Sequence, residues 1–546
     1  NVAGRVRIDN THSEYEGKLY ASSSNTLTDG STQGHYTVNN GQYSQTYADV
    51  LVNINKRIQD FTIVANIGAS YSGVTSKELG YAGPIRETGI PNLFNVYDLD
   101  NAKKRATQVG WREATESVFA SAEVGWKSML YLTVTGRNDW ASQLTHSPQA
   151  SFFYPSVGLS AVITEMLKLP DWVDYLKVRG SFSSVGNPYP RFLTYPTYSY
   201  DANKQDWKSQ TNYPIGKLYP ERTDSWEIGL DATLFKDFKL SGSFYYANTY
   251  NQTFDPRLPV SSGYDKLYVQ TGYVRNYGFE AMLSYGHRWG DFSWDSSFTF
   301  SANKNEIVEL VKDYVHPETG KTYNVDKLEL KTDEGRGFGK AKFILKEGGT
   351  LGDLYTHADL KRDINGNILI DDSGNVTAID NAGDIKLGSV LPKANLAWNN
   401  SFSYKGINAG FLLTARLGGI VYSATQAYLD LYGVSETSAA ARDAGGVWVN
   451  GRSRVNPQSF YEVVASQSGL PTYYTYSATN LRLQEAHIGY TIPRRWLGNV
   501  CDINVSLVGR NLWMIYCKAP FDPEAVATTN NYYQGIDYFM MPSTRN

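Results

Sequence analysis

Trp226-Glu227-Ile228-Gly229-Leu230-Asp231-Ala232-Thr233-Leu234, followed closely by Phe238-Lys239-Leu240-Ser241-Gly242-Ser243-Phe244-Tyr245-Tyr246, is the stretch that decides the fold. Apolar residues recur at every second position, with polar or small residues between them. Successive side chains of a β-strand point to opposite faces, so each run has one greasy and one wet face. With strands read at 222–235 and 238–251, only Lys236 and Asp237 remain to turn the chain, which suits a tight hairpin. The same alternation returns in Phe292, Trp294, Phe298 and Phe300 against Ser293, Asp295, Ser297 and Thr299. It recurs in Leu130, Leu132 and Val134, and in Ile503, Val505 and Leu507. Such runs exceed the ~5–6 residues of a soluble strand and match the ~9–11 that cross a tilted bilayer path. Trp126, Trp226, Trp294, Trp398 and Tyr71 stand at run ends, as in the aromatic girdles of a membrane barrel.

Composition supports this and excludes other classes. The 546 residues carry 51 Lys plus Arg and 54 Asp plus Glu, a net charge of −3 with no basic blocks, which argues against a nucleic-acid protein. Mean hydropathy is −0.40, and no run of ~18 apolar residues occurs, which excludes a helical membrane protein. Aromatic residues make up 14% of the chain, with 41 Tyr, and Gly reaches 48, as expected of strands joined by many turns. The two cysteines, Cys501 and Cys517, are expected to be free thiols, since an extended segment between them would hold them far beyond disulfide reach.

Connection lengths separate a barrel from a soluble sandwich. Sixteen strands are predicted, from 4–10 and 14–22 to 479–492 and 501–513. Short connections (11–13, 56–58, 126–127, 165–172, 236–237, 288–290, 405–406, 493–500) alternate with long ones. The long ones are read as external loops at 23–42, 72–114, 138–151, 185–221, 252–273, 304–394 and 418–478, with 514–546 after the last strand. An outer-membrane barrel has short periplasmic turns and long external loops, whereas a soluble sandwich has no reason to keep this parity. The fold class expected is an all-β transmembrane antiparallel barrel, about 16 strands of some 22. The strand at 4–10 would descend into its short turn, which places an odd number of strands before residue 1 and one after Asn546. Residues 1–8 lack the architecture of a secretory signal.

Several segments resemble the SusC/RagA family of TonB-dependent outer-membrane transporters. They are Leu507-Val508-Gly509-Arg510-Asn511-Leu512 with Lys518-Ala519-Pro520-Phe521-Asp522-Pro523-Glu524; Gly136-Arg137-Asn138-Asp139-Trp140 with Ser151-Phe152-Phe153-Tyr154-Pro155-Ser156-Val157; Pro220-Glu221-Arg222-Thr223-Asp224-Ser225-Trp226-Glu227; Ser183-Ser184-Val185-Gly186-Asn187; and Ala478-Thr479-Asn480-Leu481-Arg482-Leu483. The resemblance runs from about residue 110 to the end. It implies location in the outer membrane of a Gram-negative bacterium and energised import of a nutrient oligomer, oligosaccharide before oligopeptide. It implies partners too: a SusD-like surface lipoprotein as lid, TonB acting through an N-terminal plug that is not visible here, outer-membrane lipid, and a dimer of transporter–lipoprotein pairs. The readings of other classes are a soluble or surface β-rich glycan-binding protein and a passive porin.

Enzyme chemistry is not expected. No HExxH, G-x-S-x-G, Walker or dinucleotide motif occurs, and Ser301-Ala302-Asn303-Lys304 matches S-x-x-K without its companions. No cofactor is called for. Asp363, Asn365 and Asn367 are weak metal candidates, because Gly366 sits at the wrong loop position for an EF-hand and no closing Glu follows. They are better read, with Asp371-Asp372-Ser373-Gly374, as hairpin turns. Substrate contact is expected from loop aromatics, which can grip sugar rings or line a peptide groove: Tyr189, Tyr195, Tyr198, Tyr200, Tyr314, Tyr355, Trp448, Tyr473 and Tyr474. A short helix is expected within 425–445. Glu227, Asp231, Asp295 and Arg510 are expected to face a wet lumen or a plug.

Overall fold

The computed structural model describes residues 1–193, 199–201, 206–208, 218–254, 264, 268–315, 320–330, 337–528, 534–541 and 543–545. Among these, fifteen strands form one antiparallel sheet in strict chain order. They are β1 Val2–Leu19, β2 His35–Ile58, β3 Phe61–Pro84, β4 Arg105–Trp126, β5 Leu130–Ala141, β6 Ser151–Val162, β7 Val173–Asn187 and β8 Glu221–Leu234. β9 Phe238–Phe254, β10 Val269–Trp289, β11 Phe292–Glu309, β12 Ala394–Tyr404, β13 Ile407–Leu417, β14 Asn480–Ile492 and β15 Ile503–Cys517 complete it. No described helix is long and apolar enough to cross a membrane.

The count of sixteen is corrected to fifteen, because Thr11-His12-Ser13 is not a turn. These residues pair with Tyr43, Gln42 and Gly41 in an unbroken ladder from Val2↔Val52 to Leu19↔His35. A polar triplet signals a break only where a face must be buried, and β1 is exposed along nearly its whole length. β1 therefore leads into the long connection 20–34. Its direction is the reverse of that expected, and the odd strand count placed ahead of residue 1 loses its basis. The alternation of connections survives in position but not strictly in size, since 142–150 and 163–172 are nearly equal, the latter enlarged by the helical turn Ile163–Met166.

The strands also run further than the hydrophobic pattern indicates. β2 and β3 are 24 residues each and pair from His35↔Pro84 to Ile58↔Phe61. At ~3.3 Å per residue each is roughly 80 Å long, far more than a hydrocarbon layer of ~30 Å demands. The loops read at 23–42 and 72–114 shrink accordingly to 20–34 and 85–104. The greasy part of β3 is bounded by Phe61 and Tyr71, both exposed, with exposed Ile67 between them. Ten residues at ~3.3 Å and a tilt of ~40° span about 25 Å, the height of a barrel's apolar band. The tight turns follow from local chemistry. Lys405 (φ +46°) and Gly406 (φ +89°) close β12 onto β13, and positive φ at both central residues gives the turn whose twist matches paired strands.

The chain divides into two compact units. The first (1–159, 181–224 and 250–270) carries small cores beneath its loops, such as Ile85 and Leu99, each 1% exposed. The second (160–180, 225–249 and 271–546) holds a large core built inside the loops, where Phe343, Leu354, Tyr422, Val455, Phe460 and Tyr474 pack together. Three short helices serve it: α1 Ala424–Leu431, α2 Glu436–Asp443 and α3 Pro457–Val464. The single helix expected within 425–445 is thus two. Each of the three is capped by a side chain, Ser423, Ser435 or Asn456, that accepts backbone N–H bonds at its start. Helices this short are held by packing rather than propensity. Ile536–Asp537 adds a parallel strand to Ile420–Ser423, drawing the late chain into the same core.

Candidate functional site

Within the second unit the wet face of the sheet is hollowed. Ser241 and Ser243 from β9, Glu280 from β10, Thr299 and Ser301 from β11 and Thr414 from β13 line a concavity of about 710 Å³. The ladder sets Glu280 opposite Ser301 and Met282 opposite Thr299. One step away along each strand, Phe279, Leu283 and Phe298 are exposed on the other face. Period-two alternation alone therefore builds a hydroxyl-rich wall backed by a greasy one.

One cation of this wall is matched by carboxylates, whereas Arg416 donates only to the Val390 carbonyl and keeps a buried Nε without an acceptor. Arg179 Nη1 donates to Glu227 Oε1 at 2.5 Å, and its Nε lies 3.8 Å from Asp231 Oδ2. Ser241 Oγ donates to Asp231 Oδ1 at 2.7 Å. Gly229 makes room for this: a Cβ there would lie 2.6 Å from Arg179 Nε. Glu227 and Asp231, singled out from sequence, are thus brought together by Arg179, which was not. Its signal was its place within a predicted strand, but a pairing across strands is invisible to one-strand periodicity. Arg510 pairs instead with Glu485, Nε to Oε2 at 3.0 Å. Asp295 is exposed on β11, leaning over Gly286 of β10, and joins neither pair among the described residues.

At the end of β14 two of the motif segments meet. Arg482, with its side chain 7% exposed, grips Asp522 with two bonds, Nη2 to Oδ1 at 2.8 Å and Nη1 to Oδ2 at 3.2 Å. Its Nη2 also lies 3.0 Å from Glu524 Oε2, and Glu524 belongs to the concave wall. The Ser543 hydroxyl donates to Asp522 as well. Burial pushes the Asp522 carboxyl up, but the bonds from Arg482 and Ser543 outweigh it and hold the group below the usual aspartate range. A fork-to-fork arginine–carboxylate pair fixes orientation as well as distance, so the segment 518–524 is pinned to the rim of the wall. Both cysteines are free, Cys501 exposed and Cys517 half-buried.

The loop aromatics divide by burial. Tyr189, Tyr355 and Tyr474 are buried at 2%, 7% and 2% exposure. Tyr474 donates its hydroxyl to Asp430 Oδ2 at 2.9 Å, and burial together with that carboxylate pushes its phenol well up. Burial likewise pushes the neighbouring Tyr476 phenol up to about 12. These three side chains are buried, whereas the expectation set them on a loop surface. Tyr314 is half-buried. Tyr473 is half-buried too, edge-on to Phe460 at 6.1 Å. Trp448 is 56% exposed, with the Arg454 guanidinium 4.6 Å over its ring. Tyr200 pairs through its backbone with Trp207 in a short hairpin. Tyr195 and Tyr198 lie outside the described residues. Asp363 Oδ1 accepts from the backbone N–H groups of Asn365 and Asn367, each at 2.8 Å, and Gly366 turns at φ +82°. That is the turn chemistry read from the sequence. Among the described residues no three His, Cys, Asp or Glu side chains gather as a metal would need.

The model of the TonB dependent receptor-like β-barrel family matches residues 4–512. TonB-dependent receptor P3 of Formosa agariphila is 24% identical over 88% of this chain and 49% of its own length. TonB-dependent receptor SusC of Bacteroides thetaiotaomicron is 24% identical over 73% of this chain and 40% of its own. The chain spans about half the length of the curated relatives it matches. The solved structure of the RagAB peptide transporter superposes with a TM-score of 0.75 at 17% identity, covering all of this chain and 59% of that one. The greasy staves, the hydroxyl-rich inner wall and the pinned rim segment are therefore parts of an outer-membrane barrel, and the chain belongs to the TonB-dependent receptor-like β-barrel family.

Proposed function

We propose that the full-length protein imports a nutrient oligomer across the outer membrane, a neutral oligosaccharide before an oligopeptide, driven by TonB and covered by a SusD-like lipoprotein. The observation that carries this reading is the concave wall. Its lining is rich in hydroxyl and amide groups, and Arg179 is matched by its own carboxylates. Such a surface exchanges hydrogen bonds with a polyhydroxylated chain. The long connections lie outside the cell, and the exposed Trp448 offers a ring to a sugar face, with Tyr473 packed against the loop core and Tyr314 half-buried on its own hairpin. Glu227, Asp231, Asp295 and Arg510 face the lumen or the plug. Barrel residues move no bonds, so the role is transport and not catalysis. A dimer of transporter–lipoprotein pairs is the assembly that the resemblance implies.

The test is calorimetric titration of the full-length protein with its lipoprotein, using neutral oligosaccharides and, separately, oligopeptides. Saturable oligosaccharide binding, with uptake lost on removal of TonB, supports the reading. Binding of peptides alone overturns the substrate order. A permanently open conductance in planar bilayers overturns the plugged transporter in favour of a porin.

A further inference from the structure

The greasy face of β10 and β11 can be followed by register from one end to the other. Trp289↔Phe292 lies beside the turn at 290–291. His287↔Trp294, Leu283↔Phe298, Ala281↔Phe300 and Phe279↔Ala302 follow, then Tyr277↔Lys304 and Arg275↔Glu306. From Trp289 to Tyr277 is twelve residues, which at ~3.3 Å each and a tilt of ~40° is about 30 Å. The apolar band therefore ends at Tyr277, and two cations stand just beyond it on the lipid side.

These cations are mounted on rings. The Arg275 guanidinium lies 5.5 Å from the ring centres of both Tyr246 and Tyr273, and Nη2 donates to the Tyr273 hydroxyl at 2.9 Å. Tyr273 donates onward to Asn248 at 3.0 Å. Lys304 Nζ stands 5.5 Å over Tyr277, whose ring stacks on Tyr246 at 6.3 Å. The one carboxylate in the group, Glu306, approaches Arg275 only to 3.9 Å. Lys304 has no ion pair within 4 Å among the described residues, so two cations share the single carboxylate of Glu306. The cluster keeps a net positive charge at the level where a bilayer changes from acyl chain to headgroup. Long cationic side chains at that level lie along apolar surface and offer their heads to the interface, and tyrosine faces favour a cation above them.

We propose that Arg275 and Lys304, on the platform of Tyr246, Tyr273 and Tyr277, bind the phosphate of a phosphorylated glycolipid in the outer leaflet. The acyl chains of that lipid lie along Phe279, Leu283 and Phe300. The assignment of leaflet rests on the reading that long connections are external. Cations placed for solubility alone have no need of stacking rings. The surface commits to a lipid because the apolar band runs directly into it, which free phosphate would not use.

The experiment is native mass spectrometry of the full-length protein in detergent, titrated with bis-phosphorylated lipid A, phosphatidylcholine and inorganic phosphate in separate arms. The double variant Arg275→Gln/Lys304→Gln is compared with wild type, and unchanged heat-modifiable gel mobility confirms its folding. Retention of lipid A by wild type, at least tenfold weaker in the double variant and absent for phosphatidylcholine, is the expected result. Equal retention by the two proteins, or equal retention of phosphatidylcholine, overturns the proposal. Competition by inorganic phosphate at millimolar concentration overturns its lipid part. Oligosaccharide binding by the double variant, measured in parallel, tells failure of this site from failure of the transport reading.

Discussion

The staves and the loop core of the second unit use the same residues for opposite purposes. Along β8 to β13, Trp226, Ile228, Phe244 and Phe298 point outward and are exposed. Between β11 and β12, and between β13 and β14, Phe343, Tyr422, Phe460 and Tyr474 point inward and are buried. In a stave the side-chain direction is set by period two, so face can be read from position. In a loop it is set by which segments meet, and no local period announces that. An aromatic residue is therefore a readable signal in the first region and an ambiguous one in the second.

Substitutions can break this contrast. The largest effect is expected from Tyr422→Ala, which empties a fully buried site and removes the hydroxyl bond to Ser468 O at 2.5 Å. A loss of about 3–5 kcal/mol of loop-core stability is expected, seen as rapid limited proteolysis within 420–478 while the staves keep their heat-modifiable gel mobility. If staves and loops melt together, the two regions are one cooperative unit and the contrast fails. Arg482→Ala leaves Asp522 and Glu524 without their buried cation, which costs about 3–5 kcal/mol locally. Proteolysis at 518–524 should then appear without loss of the staves, and Arg482→Lys should restore part of the protection.

A smaller effect separates the two faces of a single strand. Ile228→Arg on the greasy face is expected to cost about 2–4 kcal/mol in a bilayer, whereas Ser243→Arg on the concave wall should fall within about 0.5 kcal/mol of wild type. Unfolding in urea from reconstituted liposomes measures both. Acid gives the mildest test. Asp522 is held below its ordinary value of 3.8, so its pairing stabilises the rim above that value and fades as pH falls through the lower native one. Segment 518–524 should loosen only below about pH 4, and Asp522→Asn should abolish that dependence in hydrogen exchange.

The staves were legible because a wet and a greasy side leave a two-residue rhythm that no other constraint overwrites. Thr11-His12-Ser13 misled because the ribbon is wet on both faces there, and a strand with no side to bury carries no rhythm. The burial of Tyr189, Tyr355 and Tyr474 was not legible, because a phenol suits a core and a ligand surface equally and only the three-dimensional neighbours decide. Glu227 and Asp231 were found by face, but Arg179 needed the adjacent strand. The junction of Arg482 with Asp522 spans 40 positions. Both segments stood out by family resemblance, yet nothing local said that they touch.

Nitroxide labels placed one at a time along 226–234 and 238–246 of the full-length protein in liposomes test the central claim most directly, with accessibility to oxygen and to a polar nickel complex read by electron paramagnetic resonance. Oxygen contact should peak at 226, 228, 230, 240 and 244, and nickel contact at 227, 231, 241 and 243. Flat profiles, or nickel reaching both sets equally, would contradict a wall with lipid on one side and a wet lumen on the other.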